Sequence, residues 1–105
     1  MDSEPTIYHA LRSRDMSVRK QGAAIEIATA VVERQNGRDV VVCGPDVVAN
    51  MRMGQEIESR ATGNRYKFDR AHVNRGRFAL SHFQPNPRPP EGHTFIESPP
   101  DRVAQ

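Results

Sequence analysis

Two of the four histidines lie in the stretch SHFQPNPRPPEGHTFIE, residues 81–97, each in a short apolar run. In an extended strand successive side chains alternate between two faces. If FALSHF (78–83) and GHTFIE (92–97) pair as antiparallel strands, one register brings His82 and His93 close together on one face. The prolines between them end both strands and stiffen the connection.

Two neighbouring imidazoles suit RNA cleavage without a metal ion. A neutral histidine can take the proton of a ribose 2′-OH while a protonated one donates a proton to the leaving 5′-oxygen. A cation can stabilise the charge that builds on phosphorus. We predict His82, His93 and Lys67 as catalytic residues and expect no cofactor. The residues predicted to contact phosphate or substrate are His72, Arg75, Arg77, Ser81 and Thr94.

Charge is unevenly distributed along the chain. Residues 60–88 contain seven basic side chains and one acid, a net charge of +6, whereas the remainder carries −4. This asymmetry favours an anionic partner such as RNA, a phosphorylated ligand or an acidic protein. The alternative to an enzyme is therefore a binding module for nucleic acid or protein that uses the basic 60–88 segment without cleavage.

Other chemistries have weaker support. A metal site would need His72, His82 and His93 with Glu91 or Glu97, but nine and ten intervening residues match no compact ligand motif. No Gly-x-Ser-x-Gly element is present. The single cysteine, in the apolar run VVVCG, is interpreted as a small buried hydrophobe rather than a nucleophile.

Composition limits the size of the fold. With 105 residues, 36% of them hydrophobic, the chain supports one modest core. No apolar run reaches the roughly 18 residues of a membrane span, and the N-terminus lacks a signal-peptide layout, so we predict a soluble protein.

The first half is predicted to be mainly helical. Residues 5–14 are predicted to form a short helix. A second helix is predicted from Ser17 to Asn36, because Val18, Ile25, Ala28 and Val32 recur at helical spacing. The run DVVVC (39–43) is typical of a buried strand.

A third helix is predicted from Asp46 to Ala61. Asp46 is expected to cap it, and Gly54 on its apolar face to permit close approach to a sheet. Phosphate binding at this helix N-terminus is disfavoured, because Asp46 would repel the anion.

After residue 63 the hydrophobic period changes from helical to two, which predicts strands at 65–69, 78–83 and 92–97. We therefore predict a single α+β domain over residues 1–97, with a helical part (1–36) and a strand-helix-three-strand part (37–97). N-terminal helices would pack on a mainly antiparallel sheet of about four strands, followed by a loose tail at 98–105.

The layout GRDVVVCGPDVVAN…EIESRATG…AH…ALSHFQP…GHTFIE resembles C-terminal toxin domains of bacterial polymorphic toxins, the Rhs and contact-dependent inhibition type. It is similar to the barnase, EndoU, colicin and RelE-like ribonuclease group over about residues 37–97. The resemblance places His82 and His93 at catalytic or phosphate-contacting positions, assisted by Lys67, Arg75 and Arg77.

The same resemblance implies an RNA-cutting toxin that is delivered as part of a larger protein, acts in the target-cell cytoplasm and is neutralised by a cognate immunity protein. A DNA-acting or ADP-ribosylating toxin is a further alternative.

Overall fold

The computed structural model describes residues 4–70, 80–98 and 103, and structural statements below refer to these residues. Two helices and six strands form one layered α+β structure. The strands join into one sheet with the order β2-β1-β3-β6-β5-β4. The elements are β1 (Thr6–Arg12), β2 (Val18–Ile25), α1 (Ile27–Gln35), β3 (Val40–Cys43), α2 (Val47–Thr62), β4 (Tyr66–Asp69), β5 (Ser81–Pro85) and β6 (Thr94–Ile96).

The predicted helical part, residues 1–36, is wrong over most of its described length. Residues 6–12 and 18–25 form an antiparallel hairpin, and β1 also pairs antiparallel with β3. The buried strand β3 needs a hydrogen-bonding neighbour on each side, and β1 supplies one of them. Tertiary pairing therefore overrides the local helical spacing.

Only α1 remains of the long helix predicted to end at Asn36. This helix buries Ala30, Val31 and Arg34, whereas Val32, assigned to the apolar face, is 51% exposed. The helix is capped by Glu26 rather than by Ser17. The residues that face the sheet therefore differ from those predicted for the longer helix.

The sheet is larger than predicted, with six strands instead of four, and it is mixed. Strand β3 runs parallel to β6, with Val40 opposite Thr94. The other described pairings are antiparallel, including β4 with β5 and β5 with β6. The α+β class and the antiparallel pairing of β5 with β6 are confirmed.

Both helices cover the same face of the sheet. The prediction for α2 is confirmed: Asp46 accepts from the backbone N–H groups of Val48 and Ala49, and Gly63 ends the helix in a left-handed conformation. A side chain at Gly54 would collide with Ile96, so glycine allows α2 to lie close to β6. The buried cluster on this face comprises Ile7, Ala30, Val31, Val40, Val42, Ile57, Phe83 and Ile96.

The opposite face carries a second, smaller cluster that is not covered by α1 or α2. Its buried members are Val18, Val41, Leu80, Phe95 and Val103. Val103 lies in the segment predicted to be a loose tail, yet it is 6% exposed. In the part of the chain that the structure describes, neither helix has the length and apolar character to cross a bilayer.

Candidate functional site

The two histidines meet on the face of the sheet opposite α1 and α2. The register of β5 and β6 places His82 opposite Phe95, and His93 precedes Phe95 by two residues, so all three share this face. The imidazole ring centroids of His82 and His93 are 4.7 Å apart, with the rings at 80°. The predicted convergence of the two side chains is confirmed, and their catalytic role stays a prediction.

Asp39 orients the ring of His93. Its Oδ1 accepts a hydrogen bond of 2.7 Å from the backbone N–H of His93 and lies 3.2 Å from Nδ1 of the same residue. A carboxylate at this distance holds the proton on Nδ1. Nε2 is then left facing the guanidinium of Arg88, whose Nη2 lies 3.5 Å away.

The charge state of Asp39 is coupled to His93. Burial raises the pKa of the Asp39 carboxyl, but the hydrogen bond from His93 and the positive charge of that ring outweigh burial. The net result is an Asp39 pKa below its ordinary value, so Asp39 is an anion at neutral pH.

We expect Asp39→Asn to destabilise the fold at pH 6 by about 1–2 kcal/mol, because hydrogen bonds to charged groups contribute roughly 1.5–3 kcal/mol and the amide retains part of them. A carboxyl whose pKa is lowered by folding stabilises the protein above its unfolded-state pKa, about 3.9. That contribution is lost as the pH falls through the lowered folded-state pKa. Urea unfolding at pH 6 and near pH 3 checks this: a difference between the two proteins that does not shrink at low pH contradicts the assignment.

Burial and hydrogen-bonding contacts act in opposite directions on the protonation of His82. Its Nδ1 lies 3.3 Å from the backbone oxygen of Leu80, which can only accept, so Nδ1 carries the proton. Nε2 lies 3.1 Å from the amide oxygen of Gln84 and 3.7 Å from a carboxylate oxygen of Asp69, and both of these acceptors favour the protonated ring. Burial, followed by the positive charge of His93, lowers the pKa of His82 below 6.5.

The two rings are largely packed, and each keeps a small exposed fraction. The His93 side chain is 12% exposed and that of His82 is 20% exposed. Phe95 supports both, stacked on His93 at a centroid distance of 5.1 Å and in edge contact with His82 at 5.6 Å. These aromatic contacts fix the positions of the two rings.

A polar cleft of about 410 Å³ opens beside His93. It contains two arginines: Arg12 from the end of β1, and Arg88, which forms an exposed ion pair of 3.2 Å with Glu91. An anion in this cleft would lie near both arginines and His93, and also near the carboxylates of Asp39 and Glu91. The lining residues are Arg12, Gly37, Asp39, Arg88, Glu91, Gly92 and His93.

Lys67 lies on the same face as the histidines but at a distance from the cleft. It is on β4, with Nζ 3.8 Å from Oδ2 of Asp69, and that carboxylate in turn approaches His82. The Lys67 side chain is 49% exposed.

The structure does not bring Ser81 and Thr94 to this face. Both are buried on the helix-covered side, because they alternate with His82 and His93 along their strands. Thr94 donates its hydroxyl proton to Oε1 of Glu58 at 2.7 Å. The other predicted contacts, His72, Arg75 and Arg77, lie outside the described residues.

A buried ion pair between Arg34 and Glu58 holds two backbone segments that flank the site. Arg34 and Glu58 are fully buried and joined by two hydrogen bonds of 2.9 and 3.1 Å. Arg34 also donates through Nη1 to the backbone oxygens of Arg38 and Glu91, each at 2.9 Å. The pair therefore ties the segment before β3 to the segment that leads into His93.

Asp39, Arg12 and Arg88 are site residues that sequence reasoning did not assign. Asp39 reaches His93 only because β3 and β6 are parallel neighbours, with Val40 donating to the His93 carbonyl at 3.1 Å. In the sequence, Asp39 is a single acidic residue at the start of a buried strand. It can be recognised as a partner of His93 only when the strand order is known.

Across residues 4–70, 80–98 and 103, no group of three His, Cys, Asp or Glu side chains is placed to hold a metal ion. Burial raises the pKa of the Cys43 thiol to about 12, which leaves it a poor nucleophile at neutral pH. Comparison with protein-family models, with curated proteins and with solved structures gives no match.

Proposed function

We propose that this chain is a metal-independent endoribonuclease that works by histidine acid-base chemistry. The observation that carries the proposal is the contact between His82 and His93, with ring centroids 4.7 Å apart and one ring held by Asp39. Paired titratable groups with different environments are typical of acid-base catalysis. His93 lines the cleft, and His82 is in ring contact with it.

The environments of the two rings suggest separate roles. His82, whose pKa is lowered by burial and by the charge of His93, is neutral at pH 7 and suited to be the base. His93 is suited to be the acid, since the Asp39 carboxylate compensates its positive charge.

In the proposed reaction His82 removes the proton of a ribose 2′-OH. The 2′-oxygen then bonds to the adjacent phosphorus and the bond from phosphorus to the 5′-oxygen breaks. His93 gives its proton to that leaving oxygen, so the products are a 2′,3′-cyclic phosphate and a 5′-hydroxyl. Arg88 and Arg12 compensate the charge on the non-bridging oxygens, and Lys67 assists from β4.

We propose further that the ribonuclease acts as a toxin. Support comes from the resemblance of residues 37–97 to polymorphic toxin domains and from the basic 60–88 segment, which suits RNA. The chain would then be delivered as part of a larger protein, act in the target-cell cytoplasm, and be neutralised by a cognate immunity protein.

The first test incubates the purified chain with total bacterial RNA, with and without EDTA. We expect fragments with 2′,3′-cyclic phosphate and 5′-hydroxyl ends in both reactions, and intact DNA in a parallel incubation. Fragments only in the absence of EDTA would contradict a metal-independent reaction. Intact RNA together with a salt-sensitive gel shift would instead identify a non-enzymatic RNA-binding module.

A further inference from the structure

A second depression, which we call the base pocket, lies beside the His93 cleft. It has a volume of about 510 Å³, within the roughly 300–1,000 Å³ of small-ligand sites. We propose that the base pocket receives the nucleobase of a nucleotide next to the cleaved phosphate, an inference that rests on the proposed ribonuclease function. Its lining residues are Gln35, Asn36, Gly37, Pro89, Pro90 and Glu91.

The position of the base pocket suits a nucleotide that spans two sites. Gly37 and Glu91 line both the base pocket and the His93 cleft, so the two depressions share a wall. A phosphate held by Arg88 and Arg12 in the cleft would thus leave its attached base at the neighbouring depression. The cleft contributes Arg12, Arg88 and His93 together with the carboxylates of Asp39 and Glu91, whereas the base pocket contributes amides, prolines and the Glu91 carboxylate.

The lining chemistry suits a base rather than a second phosphate. Pro89 and Pro90 offer apolar surface to the face of an unstacked ring, as single-stranded RNA recognition requires. Gln35 and Asn36 are exposed at the end of α1, and in the described part of the chain their side-chain amides make no hydrogen bond. Amides with both a donor and an acceptor can read the polar edge of a base.

The walls of the base pocket are fixed before any ligand binds. The fully buried Arg34 donates to the backbone oxygens of Arg38, which follows the lining residue Gly37, and of Glu91, which itself lines the depression. Gly92 packs so closely that a Cβ there would lie 2.7 Å from the carbonyl oxygen of Gly37. A rigid pocket loses little conformational entropy when a ligand binds, which favours selective recognition.

The binding test uses the full chain labelled with ¹⁵N and titrated with AMP, GMP, CMP, UMP and ribose 5-phosphate. We expect at least one nucleotide to shift the side-chain amide signals of Gln35 and Asn36, while ribose 5-phosphate shifts only signals near Arg88 and His93. Unmoved Gln35 and Asn36 signals at millimolar nucleotide, or equal shifts with ribose 5-phosphate, overturn the base pocket. This readout needs no cleavage, so it is independent of the ribonuclease activity.

The kinetic test compares short RNAs that differ in one base beside the cleaved bond. We expect a preference of at least 10-fold in kcat/KM, the lower end of what a few polar contacts provide. The double variant Gln35→Ala, Asn36→Ala should reduce it to within about 3-fold, and Gln21→Ala, which removes an exposed amide on β2, should leave it unchanged. Cleavage with an unaltered preference in the double variant would contradict the base pocket while leaving the ribonuclease proposal intact.

Discussion

His93→Ala and His82→Ala should each lower the rate of RNA cleavage by about 10²–10⁴-fold, the usual contribution of a positioned general acid or base. The two losses should not add in the double variant, because the rings act on one proton-transfer sequence. The rate constant is measured with a fluorogenic RNA oligonucleotide under single-turnover conditions.

The chain provides a matched histidine control for this experiment. His9 lies on β1 and contacts Glu33 of α1 at 3.3 Å, on the helix-covered side of the sheet. His9→Ala should therefore leave cleavage within about 2-fold of the parent chain, since substitutions away from a site have small effects. If His82→Ala and His93→Ala are equally mild, while Arg88→Ala abolishes RNA binding, the chain is a binding module rather than an enzyme.

The pH dependence tests the assignment of roles. With His82 as the base, the rate should rise as the pH increases through its pKa, which burial and the charge of His93 place below 6.5. His93→Asn removes the positive charge that lowers the pKa of His82, so the acidic limb of that variant should move to higher pH than in the parent chain. An acidic limb that lies above pH 7 would contradict His82 as the base.

The strands that carry the histidines could be predicted from the sequence because their signal is local. Period-two alternation around His82 and His93 determines which side chains share a face, and one hairpin then determines the pairing. The same alternation already places Ser81 and Thr94 on the opposite face, so assigning them to phosphate conflicted with the pattern itself. The α2 boundaries were equally local, set by the Asp46 cap and the turn at Gly63.

The rest of the site could not be predicted because it depends on contacts that are distant in sequence. Asp39 and His93 are 54 residues apart and meet only through the parallel pairing of β3 with β6. Arg12 reaches the cleft because residues 6–12 form a strand beside β3, whereas their apolar spacing fits a helix equally well. A short apolar run of this kind is compatible with both a helix and a strand, and the choice requires knowledge of a partner strand.

The buried pair of Arg34 and Glu58 is expected to have the largest effect on stability. Glu58→Gln leaves the Arg34 guanidinium without a counter-charge in a fully buried position, which should cost about 3–5 kcal/mol in the free energy of unfolding. The substitution also weakens the acceptor of the Thr94 hydroxyl. Guanidinium chloride unfolding at pH 7 measures the loss.

An exposed ion pair on the same helix provides the control. Arg60 and Glu56 lie 3.3 Å apart with side chains 53% and 52% exposed. Glu56→Gln makes the same chemical change there and should alter the free energy of unfolding by less than about 0.5 kcal/mol. Equal effects of Glu56→Gln and Glu58→Gln would contradict the importance of burial.

Replacing both buried partners separates stability from function. Arg34→Met with Glu58→Leu removes both charges, so it should recover most of the stability lost in Glu58→Gln. It cannot recover the hydrogen bonds from Arg34 to the backbone of Arg38 and Glu91, which hold the segments on either side of the cleft. We therefore expect a folded protein whose cleavage rate is about 10-fold or more below that of the parent chain, since small displacements of catalytic groups are costly. Full activity in a stable double variant would show that the pair stabilises the fold without positioning His93.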